Sequence, residues 1–129
     1  MMSKYFHDLE FKACTPGCNI NQMDIDFLSM LDCLRERCGF PLVLNCAYRS
    51  REWDKERGRS GNSYHTKGLA VDIRCHDAQK RAVIIEYALQ LGLSVGVYSS
   101  FLHVDMRPVR FQVCFYGISY GTMSAPVMD

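Results

Sequence analysis

The stretch S-Y-H-T-K-G-L-A-V-D-I, Ser63 to Ile73, decides how this chain is read. Its second half, Leu69 to Ile73, has the apolar, β-branched character of a buried strand. Asp72 stands inside that strand, and a buried carboxylate is costly unless something pairs with it. His65 lies on the other side of Gly68, so the two residues are not successive turns of one helix. His65 therefore belongs to a loop and Asp72 to a strand. A loop that curls back brings both side chains to one point.

Further along, F-L-H-V-D-M (Phe101 to Met106) supplies a second pair. His103 and Asp105 are two apart on a β-like run and share one face of it. Around these pairs the hydrophobic periods set the frame. From Asn21 onward Phe27, Leu28, Leu31, Leu34 and Cys38 recur at helical spacing, and Gly39 closes that helix. Pro41 to Ala47 reads as a strand, Tyr48 to Ser63 as a long polar loop, and Gly68 to Arg74 as the next strand. Asp77 caps a second helix that stops at Gly92, with Ala82, Ile85, Ala88 and Leu91 expected on its inner face. Three short β-like runs follow, L-S-V-G-V-Y-S, S-F-L-H-V-D-M-R and R-F-Q-V-C-F-Y.

Strands that arrive consecutively with short connections predict an α+β fold. The expected architecture is a mainly antiparallel central sheet flanked by two main helices, with a metal site on the sheet face. Residues 1–129 are expected to form one domain, with a turn-rich arm over 1–20 and a loose tail over 117–129.

Composition narrows the function classes. A formal net charge of +1 leaves no electrostatic footprint for nucleic acid. No apolar run approaches the length of a membrane span. The start, M-M-S-K-Y-F-H-D-L-E-F, lacks the apolar core of a secretory signal, so synthesis in the cytoplasm without a signal peptide is expected. The seven cysteines are odd in number and scattered, which argues against a disulfide framework there. Cys14 and Cys18 of C-T-P-G-C have the spacing of half a zinc knuckle, but Cys33 and Cys38 on a helix make a poor second half. These thiols read instead as small buried hydrophobes beside a Pro16-Gly17 turn. The sequence leaves the oligomeric state open.

Two histidines and two carboxylates delivered by neighbouring strands are a donor set for a divalent metal, most often zinc, which takes about four ligands. A cation beside Asp72 would offset the desolvation of its carboxylate, a term on the order of several kcal/mol. Taken singly, the same residues have plainer readings. His103 reads as a half-buried strand histidine, and Asp72 as the surface partner of Arg74 or Lys67. His7 and His76 have no comparable company and stay outside the site.

The joint pattern resembles the zinc peptidases of the M15 type, a group of D-alanyl-D-alanine carboxypeptidases, murein endopeptidases and phage endolysins with the hedgehog/DD-peptidase fold. The signature S-x-H-x-x-G-x-A-x-D is complete here as Ser63, His65, Gly68, Ala70 and Asp72, and the later strand S-F-L-H-V-D carries the second histidine. Ala47-Tyr48-Arg49-Ser50 is similar to the Y-R-S segment that ends a strand in the family. The likeness runs from about Tyr5 to Arg107.

This resemblance implies one Zn2+ per chain, held by His65, Asp72 and His103, with a fourth position left for water. Arg49 matches the arginine expected to grip a substrate carboxylate or polarise the scissile carbonyl. Ser63 is expected to brace the loop carrying His65 or to touch substrate. Many members carry an acid three positions before the last histidine, and here that position is Ser100. Asp105 is therefore expected to serve as general base, its rival role being to orient a ligand histidine.

The implied partners are peptidoglycan stem peptides, cut at a bond involving a D-amino acid. Endopeptidase and carboxypeptidase action both stay open. A phage or prophage lysis protein, acting in the periplasm or cell wall, is the expected setting. The alternative is a zinc-stabilised binding module of the same fold with little or no turnover.

Overall fold

The computed structural model describes residues 3–108 and 113–115; the expected tail over 117–129 lies outside them. The first long helix is α2 (Ile25–Cys38), preceded by α1 (Asp8–Cys14). Asp24 caps α2 by accepting from the Phe27 N–H at 2.9 Å, and Gly39 ends it in the left-handed conformation. Phe27, Leu28, Leu31 and Leu34 are buried along one face of this helix, each burial being worth about 1.5–3 kcal/mol. The second long helix, α4 (Ala78–Gln90), is capped by Asp77, whose carboxylate accepts from the Lys80 N–H.

Five strands form one sheet: β1 (Val43–Cys46), β2 (Ala70–Arg74), β3 (Ser94–Val97), β4 (Phe101–Asp105) and β5 (Val113–Phe115). Their spatial order is β1-β2-β4-β3-β5, antiparallel throughout except for the β3–β5 edge, which is parallel. Alternation along the strands separates two faces. Val71 and Ile73 of β2, Leu102 and Val104 of β4, and Val95 and Val97 of β3 join the apolar residues of α2 and α4 in one core. The opposite face carries Asp72 and His103, which the register sets directly across from each other on β2 and β4. The α+β architecture read from the sequence is thus the one observed.

Four local expectations are corrected, the last of them in part. The arm over 1–20 contains α1, with Phe6 and Phe11 buried in the core. It is pinned to α2 by Asp32, which accepts from the Ser3 hydroxyl at 2.6 Å and from the Lys4 and Tyr5 N–H groups. The long loop over Tyr48 to Ser63 contains α3 (Arg51–Glu56), started by the Ser50 hydroxyl accepting from the Trp53 N–H.

On α4 the buried residues are Ile84 and Ala88, whereas Ala82 is exposed and Ile85 and Leu91 are half-buried. Ile85 and Leu91 pack at the edge of the core, and Arg81 on the same helix donates to the carbonyls of Cys75 and Tyr98. The cysteine reading holds only in part: Cys18 is buried and Cys14 and Cys38 are half-buried, but Cys33 is exposed.

Candidate metal centre

Glycine geometry places the first donor. His65 sits on a 3-10 turn, Tyr64–Lys67, that ends at Gly68 with φ of 71°. A Cβ on Gly68 would lie 2.4 Å from the Gln22 carbonyl oxygen, so the position needs glycine for its conformation and for space. The Gly68 carbonyl in turn accepts from the Asp24 N–H at 3.0 Å, tying the turn to the start of α2. The Ser63 carbonyl accepts from both the backbone and the hydroxyl of Thr66, and the His65 carbonyl accepts from the Arg49 N–H. His65 is thereby held against the end of β1.

Three of the expected residues converge. Asp72 Oδ1 lies 3.3 Å from His65 Nε2 and 3.1 Å from His103 Nδ1, and the two imidazole centroids are 5.1 Å apart. Each ring has its other nitrogen committed elsewhere. His65 Nδ1 is 2.8 Å from the Ala47 carbonyl oxygen, which can only accept, so Nδ1 carries the proton. His103 Nε2 is 2.7 Å from Asp105 Oδ2. The nitrogens left over both face the same carboxylate oxygen. Two imidazole lone pairs cannot rest against a carboxylate unaided: protons or a cation must lie among them. The donor set fits a divalent cation, and the backing of each imidazole by a carbonyl or carboxylate is the arrangement that orients metal-ligating histidines.

The electrostatics follow from this crowding. Burial pushes the Asp72 carboxyl up, but hydrogen bonds from His103 and His65 and their charges outweigh it and hold the group well below the usual carboxylate range. Burial likewise opposes charge on His65, yet its contacts with Asp72 and Cys46 raise it to about 9.

Cys46 is the member that sequence reasoning missed. Its thiol, His65 and Asp72 offer donor atoms that all lie within 4.8 Å of one another, the single group of this kind among the described residues. Burial pushes the Cys46 thiol up, but His65 and Arg49 more than offset that and leave it below its ordinary value.

Arg49, Ser63 and the two histidines line a cleft of about 700 Å³, together with Asp54, Arg59, Asn62, Tyr98 and Phe101. The guanidinium of Arg49 is held from three sides. Its Nε donates to Cys46 Sγ at 3.0 Å, one terminal nitrogen is 3.5 Å from Asp72 Oδ2, and the other is 3.7 Å from Asp54 Oδ1. Ser63 Oγ donates to Asp54 Oδ2 at 3.5 Å. Tyr98 and Phe101 stack with centroids 4.3 Å apart and form an aromatic wall.

Asp105 is not on this cleft. It is wholly buried behind His103, and Arg107 binds it at distances down to 2.6 Å. Burial pushes its carboxyl up, but the bonds from His103 and Arg107 hold it below the ordinary range. Of the two roles the sequence left to this carboxylate, general base or partner that orients a ligand histidine, its contacts with an imidazole and a guanidinium favour the second. Ser100 lies in the turn between β3 and β4, where its carbonyl accepts from the Cys75 N–H. His7 and His76 are both exposed and away from the cluster.

The sheet, the curled turn and the cluster of His65, Asp72 and His103 are an arrangement that suits a metal-dependent peptidase. The sequence matches the family model described as Peptidase M15 over residues 5–105, and the chain belongs to that family. It is also similar to a curated protein of Haemophilus influenzae named "Probable peptidoglycan L,D-endopeptidase MepK", with 37% identity over 75 residues. The matched stretch is 57% of this chain and 39% of that relative. No described helix is long and apolar enough to cross a membrane.

Proposed function

We propose that this chain is a zinc-dependent peptidoglycan peptidase that hydrolyses a stem-peptide bond involving a D-amino acid. The observation that carries the reading is the meeting of His65 Nε2 and His103 Nδ1 on Asp72 Oδ1, at the wall of a cleft large enough for a peptide. Membership of the M15 family and the name of the Haemophilus relative point to the same substrate. That relative's name also favours a bond between an L- and a D-residue.

His65, Asp72 and His103 would hold the ion. Bound there, zinc supplies Lewis acidity toward a carbonyl and makes water more acidic. The protein's own contribution is positioning. The Ala47 carbonyl and Asp105 keep the imidazoles in the tautomers that present Nε2 and Nδ1 to the site. Asp105 acts here as an orienting residue, because both its oxygens are engaged by His103 and Arg107. Arg49 and Arg59 line the cleft beside Asp54 and Asp72, and Arg49 is the group placed to bind a carbonyl or carboxylate oxygen of a stem peptide. Tyr98 and Phe101 offer an apolar wall for the peptide backbone.

A second reading has an observation of its own. The carboxylates among the described cleft-lining residues are Asp54 and Asp72, and Arg49 lies against both. A metal-stabilised binding module without turnover would look the same. Zinc-loaded protein incubated with cross-linked muropeptides, bridged by either L,D or D,D bonds and read by mass spectrometry, separates the two. Cleavage of the L,D-bridged set that disappears on chelation is expected. Full zinc occupancy with every bridge and stem intact would instead establish the binding module.

A further inference from the structure

We infer that Cys46 is a fourth protein donor to the metal, so that the centre is built from one sulfur, one carboxylate and two imidazoles. The inference rests on the metal-centre reading proposed above and concerns which of this chain's atoms reach the ion.

Strand register is the first argument. On β1, Val43 pairs with Arg74 and Leu44 with Ile73, so an unbroken ladder would bring Asn45 opposite Asp72. The ladder is irregular between Leu44 and Cys46, and it is Cys46 that faces Asp72. An extra residue in a strand reverses which face the following side chain takes. Without it, Cys46 would point with Leu44 toward the core, and its thiol would be one more small hydrophobe. With it, Cys46, Asp72 and His103 form one row across β1, β2 and β4.

Donor geometry is the second argument. The Cys46 sulfur, His65 and Asp72 offer ligand atoms within 4.8 Å of one another, His103 adjoins this group through Asp72 Oδ1 at 3.1 Å, and Cys46 is buried at 7% exposure. The sulfur also accepts from Arg49 Nε at 3.0 Å, and this contact holds the thiol at the cleft side of β1. A cation at this cluster has sulfur, nitrogen and oxygen donors within reach. That mixture selects zinc, cobalt or cadmium over magnesium, manganese or calcium, because thiolate is a soft ligand. On binding, the Cys46 S–H bond breaks, the proton passes to solvent, and the sulfur lone pair forms the bond to the metal.

Four protein donors would occupy the shell that a hydrolytic zinc site keeps partly open, so the sulfur would compete with a substrate or solvent oxygen for the ion.

Cobalt reads the sulfur directly. The wild-type chain loaded with one equivalent of Co2+ is expected to show a near-ultraviolet sulfur-to-cobalt charge-transfer band. Cys46→Ser should abolish that band, whereas Cys33→Ser, which alters an exposed thiol, should retain it. Zinc affinity in Cys46→Ser should fall by at least about tenfold, the loss that even groups backing a ligand produce.

Should Cys46→Ser not fold, X-ray absorption at the zinc edge of the wild-type chain gives the answer. One sulfur at about 2.3 Å beside nitrogen and oxygen at about 2.0–2.2 Å is expected. A stoichiometrically loaded wild-type chain with only nitrogen and oxygen neighbours overturns the Cys46 assignment and leaves the three-ligand site standing. A band that persists in Cys46→Ser overturns it too. A chain that binds neither cobalt nor zinc overturns both this assignment and the metal centre.

Discussion

Asp105 Oδ2 lies 2.7 Å from His103 Nε2, while the other nitrogen of the same ring faces Asp72 at 3.1 Å. One imidazole thus transmits the orientation set by a buried carboxylate to the cleft. Asp105→Asn keeps the shape and removes the charge, and metal affinity is expected to fall by about 10–100-fold, as for other groups that back a ligand histidine. Asp105→Ala goes further, because it removes the buried carboxylate that Arg107 binds at 2.6 Å. Its unfolding free energy should drop by about 3–5 kcal/mol. Competition with a chromophoric chelator measures the first effect and urea unfolding the second. If Asp105 were the general base, Asp105→Asn would instead retain metal affinity and lose turnover alone.

The metal-free and metal-loaded chains should respond to pH in opposite directions. Without metal, His65 is raised from 6.5 to about 9, a stabilisation complete below the unfolded value and lost as pH rises through the folded one. Asp72 is lowered, so its contribution is present above the ordinary carboxylate value near 3.8 and fades only in stronger acid. The metal-free melting temperature should therefore fall between about pH 6.5 and 9. With metal bound, the imidazoles must be neutral, and protonation of the unfolded chain opposes folding as pH drops. Loaded protein should lose stability toward acid and hold it up to pH 9. Melting curves with and without one equivalent of zinc across this range check both slopes, and parallel curves would contradict a metal on His65.

Gly68→Ala should be among the most destabilising single substitutions on this face. The left-handed φ costs about 1–2 kcal/mol for a residue with a Cβ. The 2.4 Å approach to the Gln22 carbonyl adds an overpacking cost of about 1–3 kcal/mol. Together they predict about 2–5 kcal/mol by urea unfolding. The same change should weaken metal binding, because the Gly68 N–H donates to the His65 carbonyl and sets the turn that carries the imidazole. Gly58→Ala is the control: it shares the positive φ but has nothing within 4 Å of the added carbon.

What was legible in the sequence follows from which forces are local. The alternation of β2 and β4 and the helical stripe of α2 are nearest-neighbour patterns, so Asp72 and His103 read as strand residues, whereas their meeting across β2 and β4 was implied only by the family resemblance. The G-x-A-x-D part of the signature reads for the same reason: it encodes a turn, a close approach and a strand. Cys46 was not legible, since its direction depends on a ladder irregularity that no spacing rule announces. Asp105 looked catalytic because two residues apart on a strand means same face, which is true; that His103 itself intervenes between Asp105 and the cleft is a matter of rotamers. The helix α3 hid in a polar stretch because its stability comes from the Ser50 cap and the buried Asp54, and a hydrophobic stripe is lacking.

Asp54 lends itself to the remaining prediction. It is wholly buried at the cleft wall, and its Oδ1 accepts no hydrogen bond, so its charge is offset by Arg49 at 3.7 Å and Arg59 at 3.8 Å. The carboxylate therefore works on the two guanidiniums rather than on the metal cluster. Asp54→Asn removes the charge at constant shape, and Arg49 is then held by Asp72 and the Cys46 sulfur without its third anchor. Bonds to charged groups are worth about 1.5–3 kcal/mol, so misplacing a substrate-gripping arginine should raise KM for a stem peptide by about 10–100-fold. Zinc content and the cobalt spectrum should be unchanged, because His65, His103 and Cys46 are untouched. Arg49→Ala should reproduce the KM effect, and Arg49→Lys should rescue it poorly, since a point charge cannot replace the planar fork. A KM left at the wild-type value in Asp54→Asn, with kcat reduced instead, would place Asp54 in the proton-transfer step and not in holding Arg49.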